Sequence, residues 1–99
     1  MRVELLYFDG RPHWKVADER LAEALRGPGR ADVGVERHLV EAAEQAEELA
    51  FLGSPTIRLD GWDPFASGSE QEGLSCRLYA TPAELSGSPT TAQLLEVLS

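Results

Sequence analysis

Residues able to do chemistry are few in this chain. It has one cysteine, Cys76, and two histidines, His13 and His38. A thiol acts as nucleophile or metal ligand when its surroundings hold it as thiolate. Arg77 would help Cys76 if its cation lay near the sulfur, yet adjacent strand residues point to opposite faces. A buried core cysteine is the alternative reading. The run Arg11-Pro12-His13-Trp14 places a cation, an imidazole and an indole where a helix should start. Amides at a helix start bind anions, and the dipole there disfavours a charged imidazole. Arg11 and His13 therefore read as anion or hydrogen-bond contacts, or else as ordinary surface residues. Trp14 either lines a cleft or packs in the core. No spacing brings Cys76, His13 or His38 into a metal-binding set, so no metal and no cofactor is expected. Asp60/Asp63 and Glu70/Glu72 read as loop acids rather than an acid–base pair. No phosphate loop, nucleotide fingerprint or Ser-His-Asp pattern is present.

The elements that must position these residues are legible from periodicity. Val3-Glu4-Leu5-Leu6-Tyr7-Phe8 reads as a buried strand broken by Asp9-Gly10. Pro12 suits a first helical turn, and Trp14, Ala17, Leu21, Ala24 and Leu25 recur at helical spacing, predicting a helix over 12–26 that stops at Gly27-Pro28-Gly29. A strand is expected over 33–40, with Val33, Val35, His38 and Val40. A second helix over 41–50 should bury Ala43, Ala46, Leu49 and Ala50 and turn Glu41, Glu44, Glu47 and Glu48 to solvent. Gly53-Ser54-Pro55 interrupts, then Thr56-Ile57-Arg58-Leu59-Asp60 alternates as a strand. The segment 61–73 is too long for a tight hairpin and reads as a functional or mobile loop. Leu74-Ser75-Cys76-Arg77-Leu78-Tyr79 is expected as a fourth strand and Thr81-Pro82-Ala83-Glu84 as a short capped turn. Thr90-Thr91-Ala92-Gln93 resembles a capping box opening a last helix.

The predicted order is β-α-β-α-β-β-α, an α/β arrangement with a four-stranded mixed sheet flanked by helices. Its first two strands should be parallel and its last two antiparallel neighbours. At 99 residues, 42% hydrophobic and 26% charged, the chain fits one small domain, 1–99. Seventeen acidic against nine basic residues give a formal charge of −8, which argues against nucleic acid and against anionic lipid as partners. No apolar stretch approaches the length of a membrane span, and no signal peptide is read at the start. A lone cysteine cannot form an intrachain disulfide, so a reducing cytoplasm is the expected location. A monomer or a homodimer through an exposed sheet edge is expected.

The stretches LLYFDGRPHW, GSPTIRLDG and GLSCRLY, together with the element order, resemble a small bacterial thioredoxin-like family over nearly the whole chain. Members of that group show Cys-Pro-x-Trp where this chain has Arg11-Pro12-His13-Trp14, and some carry an alkylmercury-lyase-like label. The resemblance implies the thioredoxin fold. It also implies a cis peptide before Pro55, with nearby backbone groups open to an extended substrate. It places the family's nucleophile at position 11, where arginine cannot serve. Dithiol exchange needs two thiols. The expected function is then a non-catalytic binding module in which Arg11, His13, Trp14, Ser54, Pro55 and Thr56 hold a peptide, a protein or a small anionic ligand. The alternative is a single-cysteine thiol or redox enzyme, or a mercury-related protein, using Cys76.

Overall fold

The structure is a computed structural model that describes residues 2–8, 13–26, 33–66 and 77–98. Its elements run β1 (Val3–Tyr7), α1 (His13–Ala24), β2 (Val35–Leu39), α2 (Ala43–Glu48), β3 (Thr56–Leu59), β4 (Tyr79–Ala80), β5 (Leu85–Ser86) and α3 (Thr91–Leu98). β1 is the centre of a three-stranded mixed sheet in the order β2-β1-β3. It pairs in parallel with β2, Val3 opposite Val35, and antiparallel with β3, Leu5 opposite Ile57.

Strand alternation sorts the sheet into two unlike faces. Val3, Leu5, Ile57 and Leu59 face one way and meet Ala17, Leu21 and Ala24 of α1 and Leu94 and Leu98 of α3. The helical spacing of those positions is what aims them at the sheet. Leu6 faces the other way and packs with Val40, Ala46 and Phe51, with Phe8 against them. The rest of that second face is charged. Arg2 Nε bonds Glu36 Oε2 at 2.6 Å, and Arg2 also reaches Glu4 at 3.4 Å. His38 Nε2 lies 3.1 Å from Glu4 Oε2 without the alignment of a hydrogen bond. The hydrogen bond to Glu36, then the charges of Glu36 and Glu4, raise the Arg2 pKa above its ordinary value. A raised cationic pKa stabilises the fold at every pH below the unfolded value and loses that contribution only as pH rises through the folded one, so the Arg2 shift itself adds no pH dependence in the working range.

Two helix ends show how the sequence sets its boundaries. At α3, the Thr90 amide donates to Gln93 Oε1 at 2.9 Å and the Gln93 amide donates to Thr90 Oγ1 at 3.1 Å. This is the reciprocal capping box that Thr90 and Gln93 predict. α2 is shorter than its periodicity predicts. It ends at Glu48, and Ala50 takes a left-handed φ of 51°. The Phe51 amide returns to the Ala46 carbonyl at 2.8 Å and the Ala50 amide to Glu47 at 3.2 Å, the two bonds of a Schellman ending. Arg58 Nη2 caps the Leu49 and Ala50 carbonyls at 2.5 and 3.0 Å. Leu49 and Ala50 therefore stay exposed, and Phe51, not they, enters the core.

The expected fourth strand, 74–79, lies partly outside the described residues, at 74–76. Among the described ones, Arg77 donates its amide to the Ser54 carbonyl at 3.0 Å, and Tyr79–Ala80 then pairs with Leu85–Ser86 in a separate hairpin. The Thr81–Glu84 turn causes this. Thr81 Oγ1 accepts from the Glu84 amide at 3.2 Å and folds the chain back. Among the described residues the sheet has three strands.

The segment after β3 is tighter than a long loop at its start. Asp60 and Gly61 both have positive φ, 51° and 82°, and Leu59 and Trp62 exchange amide bonds across them at 2.7 and 3.0 Å. Asp-Gly is the pair that a two-residue turn of this hand favours.

Candidate functional site

Three pieces meet at one corner of the sheet: the end of β1, the first turn of α1, and the turn leading into β3. The Ser54–Pro55 peptide is cis, the isomer implied by the resemblance. Because β3 runs antiparallel to β1 with Leu6 opposite Thr56, Ser54 falls beside Phe8. The Phe8 amide donates to Ser54 Oγ at 3.2 Å, tying the turn to the residue where β1 ends.

Each consecutive carbonyl of this turn already accepts a hydrogen bond. Gly53 O accepts from Thr56 Oγ1 at 2.6 Å, Ser54 O from the Arg77 amide at 3.0 Å, and Pro55 O from the Tyr79 hydroxyl at 2.5 Å. Ser54, Pro55 and Thr56 are all buried. These three carbonyls thus brace the corner from within, each already holding one partner in the chain.

The brace continues through an ion pair. Arg77 Nη1 and Nη2 reach Asp63 Oδ2 and Oδ1 at 2.6 and 3.3 Å, with side chains only 2% and 10% exposed. The Arg77 guanidinium also sits 4.7 Å from the Tyr79 ring centroid, and the Tyr79 ring meets Phe65 edge-on at 5.5 Å. The Phe65 amide donates to Asp63 Oδ1 at 2.9 Å. Arg77, weighed from sequence as a thiolate support for Cys76, has its charge countered by Asp63; Cys76 itself lies outside the described residues. Two buried charges in a forked geometry with further hydrogen bonds meet the condition under which such a pair is tolerated.

On the α1 side, Trp14 stacks on Tyr7 with centroids 4.1 Å apart and planes at 21°, and Lys15 Nζ lies 5.8 Å from the Trp14 ring centroid. Trp14 is partly buried against the main core, so it both packs and borders the corner. Its Nε1 is buried and, among the described residues, has no hydrogen-bond partner. Leaving such a donor unmade costs about 1–3 kcal/mol.

Of the residues singled out from sequence, Ser54, Pro55 and Thr56 are braced beside the end of β1, and Trp14 stacks on Tyr7 at the end of the same strand. Arg11, Pro12 and Cys76 lie outside the described residues. His13 begins α1, and its side chain lies outside them too. His38 is at the far side of the sheet with Glu4. Tyr7, Asp63 and Tyr79 belong to the corner, and sequence reasoning misses them. Tyr79 and Asp63 are linked to it by tertiary contacts across 24 and 14 residues of chain, which no local pattern encodes. Tyr7 does carry a signal, as an aromatic ending a strand just before a helix with Trp14 in its first turn. Among the described residues, no group of three or more His, Cys, Asp or Glu gathers to hold a metal, and no helix is long and apolar enough to cross a membrane. No family model, no curated protein and no solved structure matches this chain.

Proposed function

We propose that this chain is a thioredoxin-like binding module that holds a peptide or small anionic ligand at the corner where β1 ends and α1 begins, without dithiol exchange. Several features support the reading. β1 is parallel to β2 and antiparallel to β3, and α1 and α3 share one face while α2 lies on the other. The cis Ser54–Pro55 turn stands beside the end of β1. The observation that carries the proposal is the unsatisfied Trp14 Nε1 donor at the first turn of α1. A carbonyl or anion accepting from it would make a bond that no described residue makes. In this reading Ser54, Pro55 and Thr56 form the braced floor, and Arg11, His13 and Trp14 make the contacts. Cys76 is the one cysteine, so a two-thiol cycle has no second partner within the chain.

The test is a titration of 15N-labelled protein with short extended peptides and, separately, with inorganic phosphate. The Trp14 Nε1–H resonance, identified by its loss in Trp14→Phe, should shift on saturation, and Arg11→Ala should weaken the response at least ~10-fold, the equivalent of one charge-assisted contact. No shift at Trp14 with either probe at millimolar concentration would sink the proposal. Multiple-turnover disulfide reduction by the isolated chain would sink it too.

A further inference from the structure

β2 closes one side of the three-stranded sheet. The Val40 amide donates to the Tyr7 carbonyl of β1 at 2.7 Å. Backbone groups along a strand face alternately to its two sides, so Val40, His38 and Glu36 address β1. The N–H and C=O groups of Val35, Arg37 and Leu39 therefore face outward. Among the described residues nothing pairs with them.

Edges of this kind are usually guarded by proline, a bulge, a covering segment or free charge. β2 reads Val-Glu-Arg-His-Leu, with no proline. Its charges are engaged within the chain: Arg37 Nε bonds Asp18 Oδ1 at 2.8 Å, Glu36 bonds Arg2, and His38 faces Glu4. Leu39 is left 41% exposed on the face it shares with half-buried Val35.

We infer that the outer edge of β2 is the docking site for a second copy of this chain, the two strands running antiparallel about a two-fold axis at Arg37. A two-fold contact must be self-complementary, and this register is. Val35 stands opposite Leu39 of the second copy, apolar against apolar. Glu36 stands opposite His38 of the second copy, acid against imidazole, in the non-hydrogen-bonded positions where side chains are closest. The outward groups of Val35, Arg37 and Leu39 meet those of Leu39, Arg37 and Val35. Neighbouring registers lose this match. An axis at Glu36 opposes two glutamates and sets Val35 against Arg37. An axis at His38 opposes two histidines and sets Leu39 against Arg37. The one like-charged pair in the favoured register, Arg37 with Arg37 of the second copy, is tempered because each is bonded to Asp18 of its own chain.

The test is sedimentation of the whole chain from micromolar to millimolar concentration in moderate salt, which screens the −8 charge of each copy. A monomer–dimer equilibrium is expected. Arg37→Pro removes an outward N–H that the β1–β2 ladder does not use, a placement that edge strands tolerate, and should weaken dimerisation at least ~10-fold. Arg37→Ala, which keeps the N–H and removes the like charges, should dimerise at least as well as the unaltered chain. The register is read independently in a Cys76→Ser background. Arg37→Cys should oxidise to a covalent dimer, since directly opposed Cα atoms stand ~5.5 Å apart, within disulfide reach, and Leu39→Cys should not. A chain that stays monomeric throughout overturns the inference. So does a dimer that Arg37→Pro leaves unchanged while folded, or faster cross-linking of Leu39→Cys than of Arg37→Cys. If Arg37→Pro fails to fold, the cross-linking pair decides.

Discussion

Replacing Ala50 with glycine should make the protein more stable, although alanine is ordinarily the better residue beside a helix. Ala50 occupies the left-handed position of the Schellman ending of α2, at φ 51°, and both bonds of that ending are formed. A Cβ in this conformation costs about 1–2 kcal/mol. Glycine avoids that cost but gives the unfolded chain more freedom, which takes back about 0.5–1 kcal/mol. The Ala50 side chain is exposed, so its loss removes no packing. The net expectation for Ala50→Gly is a gain of about 0.5–1 kcal/mol, or roughly 2–8 °C in Tm for a domain of this size. Ala50→Val should move the other way by at least ~1 kcal/mol, because a β-branched residue is a poor fit to positive φ. Urea unfolding of the three proteins at one pH gives the comparison, with the midpoint read at constant slope. A glycine variant less stable than the parent, with the same slope, would refute the assigned ending of α2.

Two further changes report on other parts of the frame. Tyr79→Phe removes the hydroxyl that donates to the buried Pro55 carbonyl and should cost about 1–2 kcal/mol in the same urea measurement, with little change in the ring's contact with Phe65. Thr90→Ala removes the acceptor for the Gln93 amide at the start of α3 and should cost about 1 kcal/mol, visible as a lowered urea midpoint and reduced α3 amide protection.

Much of the frame is legible in local chemistry. Thr90 and Gln93 announce the start of α3, because a capping box is built from near neighbours in the chain. Trp14, Ala17, Leu21 and Ala24 announce α1 by spacing. The parallel pairing of β1 with β2 is implied by the helix between them. The errors have an equally physical source. Nothing about alanine signals a left-handed conformation, so periodicity carries Leu49 and Ala50 onto a helix that ends before them. Asp60-Gly61 has a tight-turn signature, yet the long polar segment beyond Trp62 masks it. The expected fourth strand rests on β-forming residues alone and lies partly outside the described residues; of its described part, Tyr79 pairs in the hairpin closed at Thr81–Glu84. At the candidate site, Pro55 and Trp14 are legible by type. The brace of Asp63, Arg77 and Tyr79 is not, since its members meet only through tertiary packing. Arg11 and Cys76, the residues most open to a chemical reading, lie outside the described residues.

The unequal faces of the sheet divide the molecule's motions. The face against α1 and α3 buries ten residues in one cluster, and no part of it can part from the rest without exposing much apolar surface. Among the described residues the opposite cluster holds Leu6, Val40, Ala46 and Phe51, and α2 itself contributes a single buried alanine. Opening α2 therefore costs far less than unfolding the chain. Its amide hydrogens exchange with solvent through this small local opening, while those of β1 wait for global unfolding. Substitutions along α2 should therefore change how often it opens before they change whether the protein is folded.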